Sequence, residues 1–235
     1  MSIDVFREER SVPDRDAQGD IDRTFALMRS LQDAPGARAL LRVYRPLPTV
    51  AFSRRESLMP TFEAAAAAAR SHGFAPVIRL AGGRAVAYDE DCLVIDLLTP
   101  SEQRFANEAV FDVAAASIRS VLMDLGVDAR VGEVPGEYCA GAHSINARGQ
   151  VKLVGIAQRV TRGARLVTAS IVLGHAERLR AVVDDVYAAM GLEWNPATFG
   201  TLAGEGVRAS PHELEAAITR GLAETHTEWA TPLVP

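Results

Sequence analysis

The sequence predicts an α+β fold with a mixed, largely antiparallel sheet flanked by helices. Strand-like runs cluster at 76–98 and again at 150–173, separated by helices that do not alternate strictly with them. Five stretches carry helical patterning. No repeat, low-complexity linker or long charge block divides the chain, so one domain is expected over 1–235, with 176–235 as a helical C-terminal portion.

The first 17 or so residues are charged and weakly patterned, an extended arm or early strand. From Asp20 to Gln32, Ile21, Phe25, Met28 and Leu31 recur near helical spacing, and Pro35-Gly36 ends the pattern. Ala39 to Tyr44 and Thr49 to Phe52 read as strands joined by a proline-rich turn. Six alanines between Glu63 and Arg70 make a strong helix, with Thr61 as its cap and Gly73 as its left-handed stop. Pro76 to Leu80, Ala85 to Tyr88 and Cys92 to Leu98 are three short strands. Phe105 to Leu125 is a long helix that buries Val110, Val113, Ile118, Val121 and Leu122. Ala129 to Val131, Gln150 to Val160 and Ala164 to Leu173 return to strand character. Helices at Ala176 to Met190 and Pro211 to Glu224 close the chain.

Composition narrows the class of function. With 48% hydrophobic and 23% charged residues the chain is an ordinary globular protein, and its net charge of −5 argues against a nucleic-acid binder. Two cysteines, Cys92 and Cys139, make neither a disulfide framework nor a zinc site. No apolar run approaches the roughly 18 residues of a membrane span, and the N-terminus lacks a signal-peptide pattern. A soluble cytoplasmic protein with no bound metal is expected.

Candidate chemistry begins at Arg79-Leu80-Ala81-Gly82-Gly83-Arg84-Ala85-Val86-Ala87-Tyr88-Asp89. Paired glycines let a ligand approach bare backbone N–H groups, and Arg79 and Arg84 add positive charge. The segment is neither a dinucleotide fingerprint nor a Walker loop. Without further context it reads equally as a hairpin turn between two strands. Downstream stand Gly136-Glu137-Tyr138-Cys139-Ala140-Gly141 and Lys152-Leu153-Val154-Gly155-Ile156-Ala157-Gln158-Arg159.

Together these segments resemble the biotin/lipoate protein ligase superfamily, over roughly Thr49 to Gly174. The resemblance is strongest to the branch that passes octanoate from a glycine-cleavage carrier protein to dehydrogenase subunits. There a Tyr-Cys-Pro-Gly segment precedes a Gly-Lys-Lys-x-x-Gly-Ile-x-Gln-Arg strand. Tyr138, Cys139, Gly141, Lys152, Gly155, Gln158 and Arg159 match; Ala140 stands where proline is usual, and Ser144 where an acid is. The resemblance implies a catalytic domain of the biotin/lipoate ligase type. It implies lipoyl-domain proteins and the glycine-cleavage carrier as partners, and no cofactor beyond the acyl substrate. ATP and Mg²⁺ would enter only if the chain were an adenylating lipoate ligase, a reading that Arg84 and the absent His-Asp pair disfavour; a non-catalytic binder of lipoyl domains or fatty acyl groups is the second alternative, against which the retention of Cys139 and Lys152 argues.

In that reading Cys139 is the nucleophile, because a thiol splits amide-to-amide acyl transfer into two easier steps. Lys152 supplies a charge that favours the thiolate and then donates to the oxyanion. Arg79, Gly82, Gly83, Arg84, Val86, Asp89 and Gly155 bind the substrate, and Val77, Val86 and Leu97 line an apolar tunnel. Replacing Lys152 by Ala is expected to stop transfer with little effect on folding. Cys92 is expected in the core, and Arg159, Arg162 and Arg165 in solvent. His143, four residues past Cys139, suggests a Cys–His pair on spacing but has no catalytic counterpart in the family.

Overall fold

The computed structural model describes residues 3–7, 16–33, 38–101 and 107–230, with side chains for 4–5, 16–33, 38–100 and 108–224. The expected Pro35-Gly36 stop and the start of the long helix at Phe105 fall outside these residues.

Ten strands and five helices follow one another among the described residues. The chain begins β1 (Ile3–Arg7), α1 (Ala17–Gln32), β2 (Ala39–Tyr44), β3 (Thr49–Ser53), α2 (Phe62–Ser71) and β4 (Ala75–Arg79). It continues through β5 (Val86–Tyr88), β6 (Cys92–Ser101), α3 (Asn107–Asp124), β7 (Ala129–Val131) and β8 (Ile145–Ala147). It ends with β9 (Val151–Thr161), β10 (Gly163–Val172), α4 (Ala176–Met190) and α5 (Pro211–Ala230). Seven strands form a sheet in the order β1-β2-β6-β10-β9-β8-β7, and three form a second sheet in the order β4-β3-β5. Among the described strands, the β1–β2 and β3–β4 pairs are parallel and the other pairs antiparallel, so the fold class matches the expectation.

Two details depart from it. The Gly82-Gly83 segment is not a hairpin turn: β4 and β5 both pair with β3, on opposite sides, and the loop crosses from one edge of the small sheet to the other. Thr61 precedes α2 but does not cap it with its side chain, and its buried hydroxyl has no hydrogen-bond partner. Gly73 does end the helix in the left-handed region, at φ +76°.

Strand alternation divides the large sheet into two faces. One carries Leu41, Val43, Leu93, Ile95, Leu153, Ala169 and Ile171 against Ile118 and Leu122 of α3 and Leu214, Ile218 and Leu222 of α5. A second core joins Val50 and Phe52 of the small sheet to Ala65 and Ala69 of α2 and Leu179, Val182 and Val186 of α4. The alanines serve that close helix packing, as α2 lies directly on α4. α1 covers the remaining strand ends through Met28, Leu31, Leu98 and Leu166. Among the described residues no helix is long and apolar enough to cross a membrane.

Candidate active site

A cavity of about 270 Å³ opens between the two sheets and is walled by both, by Ile21 and Thr24 of α1, by Phe111 of α3 and by the 139–144 loop. Arg79, Gly82, Gly83, Val86, Cys139, Lys152, Gly155 and Gln158 all line it. One pocket therefore brings together the glycine segment, the cysteine and the lysine, which are far apart in sequence.

Cys139 has an unusual backbone for a residue with a side chain, with φ at +44°. Three contacts hold it there. Its N–H donates to Tyr187 Oη at 2.8 Å, its carbonyl accepts from Lys152 Nζ at 2.8 Å, and its Sγ accepts from the Arg84 N–H at 3.2 Å. Tyr187 Oη in turn donates to the Ala85 carbonyl at 3.2 Å, so α4 clasps the cysteine loop to the start of β5. Burial, reinforced by the neighbouring Cys139, pushes the Tyr187 phenol up and keeps it a neutral donor.

The glycine loop is fastened at both ends. Arg79 Nη2 donates to the Arg84 carbonyl at 2.8 Å, and the Ala85 N–H donates to Glu56 Oε1 at 2.8 Å. Gly83 has φ +96°, and a Cβ built on it would meet both Cys139 Sγ and Arg79 Nη2 at 3.0 Å. Only a glycine leaves room there for the thiol.

Lys152 is 1% exposed, yet it sits at the cavity wall. Its ammonium donates to Glu137 Oε1 at 2.9 Å, Tyr138 O at 3.0 Å and Cys139 O at 2.8 Å, which engages all three protons. The Tyr138 ring centroid lies 4.8 Å from Nζ. The charge thus acts directly on Glu137 and two carbonyls, one of them that of Cys139. Glu137 is the residue that sequence reasoning missed. Its Oε1 also accepts from Ser144 Oγ at 2.6 Å, and its Oε2 accepts from the Val134 N–H at 2.9 Å. The acid usual at the position of Ser144 is thus supplied from seven residues upstream. Gly155 lies beside the lysine, where a Cβ would make ordinary contact with Lys152 Cε at 3.5 Å.

Other candidates lie elsewhere. Asp89 is buried away from the cavity lining, where its Oδ1 accepts from the Asp91 N–H at 3.0 Å and its carbonyl closes a turn onto Cys92. Arg84 is exposed and contributes its backbone rather than its guanidinium. Val77 and Leu97 do not line the cavity: Val77 packs in the α2–α4 core, and Leu97 points to the opposite sheet face with Ala114 and Val167. Arg165 is buried, which lowers its pKa, whereas Arg159 and Arg162 are exposed. Cys92 is fully buried, and burial raises its thiol far above the ordinary range. His143 stacks on Phe111 and reaches Asp112 at 3.1 Å, and no contact joins it to Cys139 among the described residues.

A thiol and a buried lysine thus share the wall of one cavity between the two sheets. Residues 20–185 match the lipoyl protein ligase A/B catalytic domain, and the chain belongs to that family. It is 30% identical over 152 residues to octanoyl-GcvH:protein N-octanoyltransferase of Exiguobacterium sibiricum, covering 64% of this chain and 55% of that relative. The enzyme of the same name from Anoxybacillus flavithermus is 27% identical over 166 residues, covering 69% of this chain and 59% of its own length. The chain spans a little over half the length of these curated relatives. Among solved structures, lipoate-protein ligase A bound with ATP superposes with TM-score 0.72 at 20% identity, over 96% of this chain and 85% of that one. A bipartite lipoate protein ligase from Thermoplasma acidophilum does so with TM-score 0.70 at 21% identity, over 96% and 83%. At those identities the likeness concerns the fold.

Proposed function

We propose that the chain is an acyltransferase that moves an octanoyl or lipoyl group to a lysine of lipoyl-domain proteins through a thioester on Cys139. The glycine-cleavage carrier protein is the donor, by analogy with the named relatives. The observation that carries this reading is the seating of Cys139: a strained backbone, fixed at N, O and Sγ, turns the thiol into the cavity against a glycine that leaves space for it.

In the first step the Cys139 sulfur bonds to the acyl carbonyl carbon, the donor's C–N bond breaks, and the thiol proton leaves with the released lysine amine. In the second the acceptor amine attacks the thioester, the C–S bond breaks, and an amine proton returns to the sulfur. No ATP or metal is consumed in either step. Lys152 Nζ donates to the Cys139 carbonyl and the Arg84 N–H to its sulfur, and this closeness to the thiol supports assigning both donors to the oxyanion. Because Lys152 already serves three acceptors, it must release one backbone carbonyl to do so.

Intact-protein mass spectrometry after mixing with an octanoyl carrier tests this. One octanoyl group is expected on the parent protein, released by hydroxylamine, present on Cys92→Ser and absent from Cys139→Ser. Full activity in Cys139→Ser, with a requirement for ATP and free lipoate, overturns the thioester route. The adenylating reading would then fall to Arg79, whose Nε is buried without a partner beside the glycine loop.

A further inference from the structure

Three exposed arginines gather at one end of the small sheet, beside the thiol. Arg54 and Arg55 follow directly on β3, whose last residue, Ser53, pairs with Arg79 at the end of β4. Arg84 leads into β5 on the other side of β3, and its N–H reaches the Cys139 sulfur. Glu56 ties these segments together: its Oε1 accepts from the Ala85 N–H at 2.8 Å and its Oε2 from the Ser53 N–H at 2.9 Å. That acid is buried, and both its oxygens are engaged by the backbone.

The charge of the three guanidinium groups is not spent on an ion pair. Arg38, Arg130, Arg148 and Arg178 are exposed too, yet each stands 3.8 Å or less from a carboxylate. Among the described residues no such partner meets Arg54, Arg55 or Arg84. On the α3 side of the cavity Asp112 is already engaged by His143. Leu58, one short turn beyond Arg55, adds an apolar side chain that is 75% exposed, the most of any large hydrophobic residue described.

Geometry brings a partner to this place. Gly82, Gly83 and Ala140 line the cavity and are exposed, so it opens between the glycine loop and the cysteine loop. A lysine that gives up or receives an acyl group has to bring its nitrogen to the Cys139 sulfur through that opening. Its aliphatic stem is the whole reach available, so the partner's backbone comes to rest against the rim. The chain as a whole carries a net charge of −5. An acidic surface is repelled by most of such a molecule and drawn to a local group of arginines.

We propose that Arg54, Arg55 and Arg84, with Leu58 at their edge, form the docking surface for the domain that bears the acyl-lysine. They grip an acidic face of that domain next to the lysine. This rests on the acyl-transfer reading above and adds the means by which a protein-bound acyl group is told from a free one. The Arg84 N–H also touches the thiol, whereas Arg54 and Arg55 act on the partner alone, so the test uses those two.

The double variant Arg54→Glu/Arg55→Glu is compared with the parent in two reactions, both followed by the mass of the acyl-enzyme. One donor is an octanoyl glycine-cleavage carrier protein; the other is octanoyl-N-acetylcysteamine, a small uncharged thioester. Loading from the carrier should slow at least about tenfold, while loading from the small thioester stays within about twofold, which also shows that the variant is folded. Added salt should slow the parent's reaction with the carrier and narrow the gap. Arg54→Gln/Arg55→Gln, which removes the charges without adding acids, should lose less. Arg162→Glu reverses an exposed charge at the far end of β9, roughly 33 Å of strand from Lys152, and should leave both reactions unchanged. Equal slowing of the two reactions in the double variant, or slowing of neither, overturns the proposal, as does an equal loss in Arg162→Glu. Binding of the acyl-free carrier to Cys139→Ser protein, with and without the two reversals, separates docking from chemistry. If no acyl-enzyme forms from either donor but the reversals weaken binding about tenfold, the transferase reading fails and the docking surface stands. If the carrier binds both proteins alike, the docking surface fails whatever the reaction.

Discussion

Three acceptors surround the Lys152 ammonium, and one of them, Glu137, is as buried as the lysine itself. Removing one partner of such a pair strands the other charge in the protein interior, at a cost of about 3–5 kcal/mol. Glu137→Ala is therefore expected to lose stability on that scale in urea unfolding, whereas Glu137→Gln, which keeps an acceptor for Lys152, loses less. The same geometry changes what Lys152→Ala should do. The sequence alone suggested a variant that folds normally and fails only in transfer. With Glu137 left unpaired, both melting temperature and turnover should fall, the latter by about 10²–10³ if the lysine serves the oxyanion. Equal melting temperatures for parent and variant would mean that Glu137 is satisfied without the lysine. Cys139 and Lys152 are legible in the sequence because glycines flank them in a recognisable order. Glu137 is not, since an acid after Val134-Pro135-Gly136 looks like a solvated turn until β9 brings Lys152 beneath it.

Helices and loops carry the next set of consequences. Tyr187 sits on the buried side of α4, where an aromatic at helical spacing reads as ordinary core. Its hydroxyl nonetheless joins the Cys139 N–H to the Ala85 carbonyl. Tyr187→Phe keeps the ring and loses both bonds. The expected result is a small stability change, about 1 kcal/mol per bond, with acyl-enzyme formation slowed more than substrate binding. A rise in KM with kcat unchanged would remove Tyr187 from the positioning of the thiol. At the start of α5, Ser210 and Glu213 form a reciprocal cap, Ser210 N–H to Glu213 Oε2 at 2.7 Å and Glu213 N–H to Ser210 Oγ at 3.3 Å. The Ser210 hydroxyl and then its N–H hold the Glu213 carboxyl below its usual 4.5. A depressed carboxyl stabilises the fold above its unfolded value and loses that contribution as pH falls through its folded value. Amide exchange in the first turn of α5 should therefore quicken below about pH 4.5 and be pH-insensitive in this way in Glu213→Gln. The five helices were legible from periodicity, although α1 begins three residues before the expected Asp20 and α5 runs six residues past the expected Glu224. The Gly82-Gly83 hairpin was misread because both flanking strands pair with β3, a partner about 26 residues upstream of β4 and 35–39 upstream of β5, instead of with each other. β8 escaped notice because Ile145-Asn146-Ala147 is three residues long and lies between Ser144 and Arg148.

On the scale of the molecule, runs of strands without strict helical alternation were enough to indicate the sheet type. Strand order was not legible, because β6 sits between β2 and β10 and owes its place to pairings across some fifty and seventy residues. The same long reach governs the thiol. Its seat needs β5 for the Arg84–Ala85 segment, β9 for Lys152 and α4 for Tyr187, the last 48 residues further along the chain. Chains of this size commonly fold through collapsed intermediates, and distant pairings close late. After dilution from denaturant, far-UV ellipticity should recover before the protein can take up an acyl group; simultaneous recovery would contradict this. For the proposed transfer a ribosome has to deliver α4 before the Cys139 seat is complete, so a newly made or partly unfolded chain carries a cysteine without its Tyr187, Lys152 and Arg84 contacts. Competence to react thereby becomes a late checkpoint on the protein's own maturation.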